Sequence, residues 1–181
     1  MRGQNIGSLT ISLGGMLFVL MNAATFPTDL GLLVRFLGVL AFVLVLWQAF
    51  CTPQRSKAPD RPSPAAWRTF AISVTVMWLA IPLGANLLSQ QFNLPQLIVL
   101  WVVFMVGAHF LPFASVFTAP LFVSLAWTLM GLAAVGVVLT LTVWPTAPNV
   151  MAVLAGFVLL GFGLWIARIG RENPVSLQQH A

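Results

Sequence analysis

Long apolar stretches with almost no charge constrain this chain more than any other feature of its sequence. Six such stretches lie at residues 7–24, 30–50, 70–88, 95–111, 120–143 and 149–167. Shorter links separate them. A helix of about 20 apolar residues crosses the hydrocarbon core of a bilayer and satisfies its own backbone hydrogen bonds there. The chain of 181 residues is 60% hydrophobic and only 6% charged. The sequence therefore predicts an all-α integral membrane protein, a six-transmembrane-helix bundle that forms a single domain over residues 1–181.

The basic residues predict how the helices are oriented in the membrane. Half of the eight lysines and arginines lie within residues 52–68, a stretch that also contains several prolines and so should form an exposed loop. Links on the other side of the predicted membrane contain no lysine or arginine. By the positive-inside rule, the loop, the N-terminus and a polar tail at 168–181 are cytoplasmic. We expect the loop to contact anionic lipid headgroups.

Several other classes of protein and site are disfavoured by composition. The net charge of +5 does not indicate nucleic-acid binding, because the basic residues flank apolar spans instead of following one helical face. Cys51 is the only cysteine, which excludes an internal disulfide. With two histidines and three acidic residues in the chain, the sequence predicts no metal site and no cofactor.

The first apolar stretch has two interpretations. It follows Arg2, and a basic start before an apolar run also fits a signal peptide. Its length, and the poor cleavage site formed by Met21, Asn22 and Ala23, favour a retained helix.

Arg35 is the basic residue that does not follow the topology, since it lies inside the second apolar stretch. A charge at the centre of a bilayer costs about 2.5–3.5 kcal/mol on insertion scales. One interpretation is that the guanidinium extends to the outer headgroups. The other is a partner among the helices: Asp29, an amide, or an anionic group of a substrate. Asp29 itself either caps the second helix, pairs with Arg35, or lies at the mouth of a cavity.

His109 and Pro112 interrupt the fourth stretch. A lone imidazole in a span either holds helices together by hydrogen bonds or contacts a bound molecule, and Pro112 deprives the carbonyl of Ala108 of its helical donor. We therefore predict a polar pocket at this break. Residues 107–114, GAHFLPFA, resemble a segment of small multi-pass bacterial membrane proteins that are uncharacterised as a group. The resemblance covers this span alone and implies a bacterial membrane architecture, without an activity.

Further polar side chains lie toward the predicted outer face. Asn22, Asn86 and Gln90 could line an outward-facing vestibule together with Asp29 and Arg35. His109 lies toward the opposite side, so the two groups are more consistent with two ends of a path than with one catalytic cluster.

Three functions follow as hypotheses. The first is a small-solute permease or channel-like protein in the bacterial cytoplasmic (inner) membrane, with Arg35 selecting at the outer mouth and His109 gating or binding inside. The second is a structural or accessory subunit, working as a homo-oligomer or with a membrane-protein partner. The third is a membrane-embedded enzyme that modifies lipid, which requires two titratable groups near a common point.

Overall fold

The computed structural model describes residues 3–51, 64–117 and 120–172. Within these ranges the regular structure consists of helices, and no strand is present. The α-helices are α1 (Gly3–Asn22), α2 (Thr28–Cys51), α3 (Pro64–Asn86), α4 (Ile98–His109), α5 (Leu111–Phe117), α6 (Pro120–Thr142) and α7 (Ala147–Glu172). Short 3₁₀ helices follow α1 and precede α4, and a π-helical turn extends α3 over Leu87–Gln91.

Six segments of the described chain are long and apolar enough to cross a membrane: Gly7–Thr25, Thr28–Phe50, Ala66–Gln91, Pro95–Ala114, Leu121–Thr142 and Ala147–Arg168. They coincide with the six stretches found in the sequence, which confirms the prediction of an all-α membrane protein with six spanning helices. Most of the predicted basic loop and tail, at residues 52–63 and 173–181, lies outside the described residues.

The third span is longer than predicted at both ends. Its helix α3 begins at Pro64, so residues 64–68 of the predicted loop are helical. Proline is well tolerated in the first turn of a helix, where its missing N–H has no partner to lose. The other end continues through the π turn and stops before Asn93, whose φ of 55° lies in the left-handed region that asparagine tolerates better than most residues.

The chain divides into two compact units. The terminal unit comprises Met1–Arg61 and Gly156–Ala181, and the central unit comprises Pro62–Ala155. Helices α1 and α2 belong to the terminal unit, and α3 to α6 to the central unit; α7 contributes its first part to the central unit and the rest to the terminal unit.

Small residues bring the backbones of α1 and α7 together within the terminal unit. A Cβ added at Gly15 would lie 2.6 Å from Gly156 O, and one added at Gly156 would lie 2.6 Å from Gly15 O. Two helical turns away, the Ser8 hydroxyl donates to Gly163 O at 2.7 Å. Ser8 and Ser12 are both buried here. Small residues and hydroxyls are the usual means of helix association in lipid, where apolar burial contributes little.

Replacement of each of these two serines with alanine should have different effects on the free energy of unfolding. Ser8→Ala removes a buried hydrogen bond between α1 and α7, so the free energy of unfolding should fall by about 0.5–1.5 kcal/mol. Ser12 Oγ is buried without a partner among the described residues, so Ser12→Ala should leave stability unchanged or raise it. Reversible unfolding in mixed micelles measures both values. A larger loss for Ser12→Ala than for Ser8→Ala would contradict the assigned roles.

The central unit is built on contacts of α4 with α6 and α3. Gly107 on α4 allows the approach of α6, since an added Cβ would lie 2.9 Å from Leu129 Cβ and 3.1 Å from Ala126 O. Leu97, Leu100 and Met151 form a buried apolar cluster in this unit. On the α3 side, Trp101 lies against Gly84, where an added Cβ would overlap the indole. The indole Nε1–H donates to Ala80 O at 3.0 Å.

Large apolar side chains remain exposed along the spans. Only 6% of the α3 span is buried, and its exposed residues include Trp78, Leu79 and Leu83. A soluble protein rarely exposes a continuous apolar surface of this kind, whereas a helix in contact with lipid does so along most of its length.

Candidate functional site

Arg35 lines a pocket inside the terminal unit. The pocket has a volume of about 160 Å³ and is formed by the 3₁₀ turn after α1, by Phe26 and by the first two turns of α2. Its lining residues are Ala23, Ala24, Phe26, Thr28, Gly31, Leu32 and Arg35. Gly31 is required because an added Cβ would lie 2.7 Å from Ala23 O. The close approach of the α2 backbone to this turn therefore shapes the pocket.

Helical geometry explains why Arg35 belongs to this pocket and Asp29 does not. Successive residues of an α-helix are separated by about 100°, so Thr28, Gly31 and Arg35 share one face. Asp29 lies about 120° away from Arg35 around the same helix. The structure leaves Asp29 exposed and outside the pocket lining. Asp29 is therefore not in a position to neutralise Arg35 across the pocket.

The Arg35 guanidinium is not fully paired. Its Nε is buried and has no hydrogen-bond partner among the described residues. The side chain as a whole is half-buried, and Arg35 lies seven residues after the start of α2, roughly 10 Å along the helix axis. A buried donor of a charged group without an acceptor is expensive, which makes this nitrogen a natural position for an acceptor brought by a bound molecule.

The two predicted asparagines occupy different surroundings. Asn22 ends α1, where its Nδ2 donates to Phe18 O at 2.9 Å and its carbonyl accepts from the Thr25 hydroxyl at 2.9 Å. Asn86 belongs to the central unit, is exposed, and accepts from the Ser89 hydroxyl at 3.2 Å through its carbonyl. Neither side chain lines the Arg35 pocket. Their part in an outer vestibule stays a prediction.

His109 lies at an interruption of the fourth span in the central unit. Helix α4 ends at this residue, a turn at Phe110 follows, and α5 begins at Leu111. Pro112 has no N–H to continue the α-helical pattern, which explains the change of helix. The Ser73 hydroxyl of α3 donates to His109 O at 2.9 Å and so supplies a donor to the interrupted backbone. The span is therefore interrupted at this point and α3 supplies a partner to its backbone, while a polar pocket at the break stays a prediction.

The His109 ring forms part of a groove between α3 and the α4–α5 segment. The groove has a volume of about 310 Å³ and is lined by Thr69, Ile72, Ser73, Val76, Met77, Met105, Ala108, His109 and Pro112. Phe110 and Phe113 pack beside the imidazole, with ring centroids 4.3 Å and 5.0 Å away. The groove is thus apolar apart from two hydroxyl groups and one imidazole.

The imidazole has a defined tautomer in this arrangement. His109 Nδ1 lies 3.0 Å from Val106 O, and a carbonyl oxygen only accepts, so Nδ1 carries the proton of the neutral ring. Nε2 then has a free lone pair, and no hydrogen bond from the described residues reaches it. The ring can therefore accept a hydrogen bond or a proton through Nε2.

Of the residues that the structure describes, one titratable side chain lines each cavity, Arg35 in the terminal unit and His109 in the central unit. Within the described residues, no group of three or more His, Cys, Asp or Glu side chains comes together. Among the described lining residues, no two titratable groups share the common point that acid–base catalysis needs.

Sequence reasoning missed the residues that complete both sites. Ser73, Thr69 and Gly31 carried no signal because serine, threonine and glycine are frequent in membrane helices for packing alone. Helical spacing predicts that Thr28, Gly31 and Arg35 share one face, but only when the start of α2 is known.

The six long apolar helices define the class of this chain: it is an all-α, multi-pass membrane protein. No protein-family model, curated protein or solved structure matches it.

Proposed function

We propose that the protein is a permease or channel-like protein for a small solute in the bacterial cytoplasmic membrane, with both termini in the cytoplasm. Arg35 is its selecting residue, and the solute carries an anionic or strongly accepting group. The observation that carries this proposal is the buried Arg35 Nε, which lines a pocket of about 160 Å³ and has no partner among the described residues.

The chemistry of a guanidinium favours an anion over other solutes. Arginine stays charged in proteins, and its planar set of N–H donors matches a carboxylate or a phosphate oxygen pair. Asp29 lies on another face of α2, so the described part of the pocket lining contains a positive charge and no acidic residue. The pocket is much smaller than those that enclose drug-sized ligands, roughly 300–1,000 Å³, which suits a small solute.

Flux of small anions into liposomes tests the proposal. Chloride, acetate and inorganic phosphate serve as probes, because they differ in size and in hydrogen-bonding geometry. Arg35→Ala should reduce flux of the accepted anion roughly 10- to 100-fold, the range expected for losing a hydrogen bond to a charged group. Asp29→Asn is the matched control on the same helix and should leave flux near that of the wild type.

Two outcomes would contradict the proposal. One is unchanged flux in both Arg35→Ala and His109→Ala. The other is an equal reduction in Arg35→Ala and Asp29→Asn, which would indicate a general effect on α2.

A second candidate is a structural or accessory membrane subunit. It is favoured by the use of polar side chains as links between helices, as with Ser8 on Gly163 O, Ser73 on His109 O and Trp101 on Ala80 O. The exposed apolar face of α3 would then contact a second copy or another membrane protein, while the 52–68 loop contacts anionic headgroups. Co-purification of a partner together with absence of flux for all three probes would favour this candidate.

A lipid-modifying enzyme has the least support, because each cavity has one titratable lining residue among the described residues.

A further inference from the structure

We infer that the groove beside His109 is a binding site for an uncharged amphiphile dissolved in the membrane, one whose head bears a hydroxyl group and whose tail is a hydrocarbon chain. This inference concerns the central unit alone and does not rest on the proposed transport function. Three features of the groove carry it: an unused acceptor, a gradient of polarity, and the absence of charge from its lining.

The unused acceptor is His109 Nε2. Because Nδ1 donates to Val106 O, Nε2 of the neutral ring presents a lone pair that calls for a donor. The buried side-chain atoms without partners in the described residues are Ser12 Oγ, Arg35 Nε and Gln48 Oε1, so Nε2 is not sealed inside the protein. A hydroxyl group is the simplest neutral donor that a membrane-dissolved molecule can bring to it.

The polarity of the groove changes along α3. Arg68 is exposed at the start of this helix, and the lining begins at the next residue, Thr69. The hydroxyls of Thr69 and Ser73 therefore lie nearest the charged end of the span. Val76 and Met77 lie two turns further along, roughly 11–12 Å from Thr69. On the facing segment, His109 lies at the Ser73 level, and Met105 comes one turn earlier in the chain.

This gradient matches the orientation of an amphiphile in a bilayer. Its head would lie near the interface, within reach of His109 and Thr69, and its tail would extend along Val76, Met77 and Met105. The tail can enter from the lipid, since Ile72 and Val76 are 64% and 54% exposed. Methionine side chains adapt their shape to varied apolar partners, which suits a flexible tail.

The lining selects against charged heads. Among the described residues, no lysine or arginine lines the groove, so a carboxylate or a phosphate would be placed against apolar walls without a counter-charge. A volume of about 310 Å³ lies near the lower end for small-molecule pockets, roughly 300–1,000 Å³. One head with part of a single chain therefore fits better than a whole phospholipid.

Photolabelling of the full-length protein in phosphatidylcholine nanodiscs tests this inference. The probe is dodecanol with a diazirine in its chain, and its controls are the corresponding methyl ether, which cannot donate, and the corresponding fatty acid. Mass spectrometry locates the labels. The alcohol should label peptides containing Met77 or Met105, and the ether roughly five-fold less, the factor that one hydrogen bond typically contributes.

Two variants separate binding from misfolding. His109→Phe keeps a ring and removes the acceptor, so alcohol labelling should fall about five-fold while the weaker ether labelling stays the same. Val76→Trp should fill the groove and abolish labelling by the alcohol, whereas Val138→Trp, at an exposed position of α6 outside the lining, should not. Equal labelling by alcohol and ether in the wild type, or unchanged alcohol labelling in His109→Phe, would overturn the inference.

Discussion

Replacing Gly156 with alanine is expected to lower the free energy of unfolding by about 1–3 kcal/mol, the usual range for overpacking. The added Cβ would lie 2.6 Å from Gly15 O and 2.8 Å from Val19 Cγ2. The first of these atoms belongs to the backbone of α1, so relief requires the two helices to move apart. That movement would also lengthen the hydrogen bond from Ser8 to Gly163 O.

Gly161→Ala is the matched control on the same helix. An added Cβ there meets no atom within 4 Å, and alanine is favoured over glycine inside a helix by roughly 0.5–1 kcal/mol. We therefore expect opposite signs for two identical substitutions five residues apart. Unfolding in mixed micelles, followed by far-UV circular dichroism, measures both. Equal effects at the two positions would show that close contact of α1 and α7 does not stabilise the terminal unit.

Gly84→Ala is expected to produce the second large loss, of about 2–4 kcal/mol, through displacement of Trp101. An added Cβ would overlap the indole, a rigid group that cannot bend away as a flexible chain can. The ring must rotate, and Trp101 Nε1 then loses its hydrogen bond to Ala80 O. Overpacking contributes about 1–3 kcal/mol of this loss and the hydrogen bond about 1 kcal/mol.

A double-mutant cycle distinguishes this mechanism from a general effect on α3. Trp101→Leu alone should destabilise the central unit, because it removes the indole and its hydrogen bond. In the Trp101→Leu background, however, Gly84→Ala should have little further effect, since the overlapping ring is gone. Additive losses would contradict the mechanism. Gly131→Ala, at an open position of α6, serves as the control within the same unit.

The candidate sites were predictable from the sequence only in part. Arg35 and His109 stood out because an ionisable residue inside an apolar span is uncommon and calls for a partner or a cavity. Both residues do line cavities. Asp29 was an equally reasonable partner for Arg35 by sequence distance, and the angular position of the two residues on α2 separates them.

The fold class and the helix positions were determined by the sequence itself. A long uncharged apolar stretch is stable in lipid as a helix, because a helix satisfies the hydrogen bonds of its backbone within its own segment. That argument is local, so it needs no knowledge of neighbours, and the six predicted spans match the helices closely.

The tertiary structure alone decided which glycines are packed and which serine is bonded. Gly156 and Gly161 have the same local sequence character, but only Gly156 faces α1. Ser8 and Ser12 lie one turn apart, but only Ser8 reaches a carbonyl of α7. In lipid such distinctions come from close contacts between helices, and hydropathy, which describes each span by itself, carries no information about them.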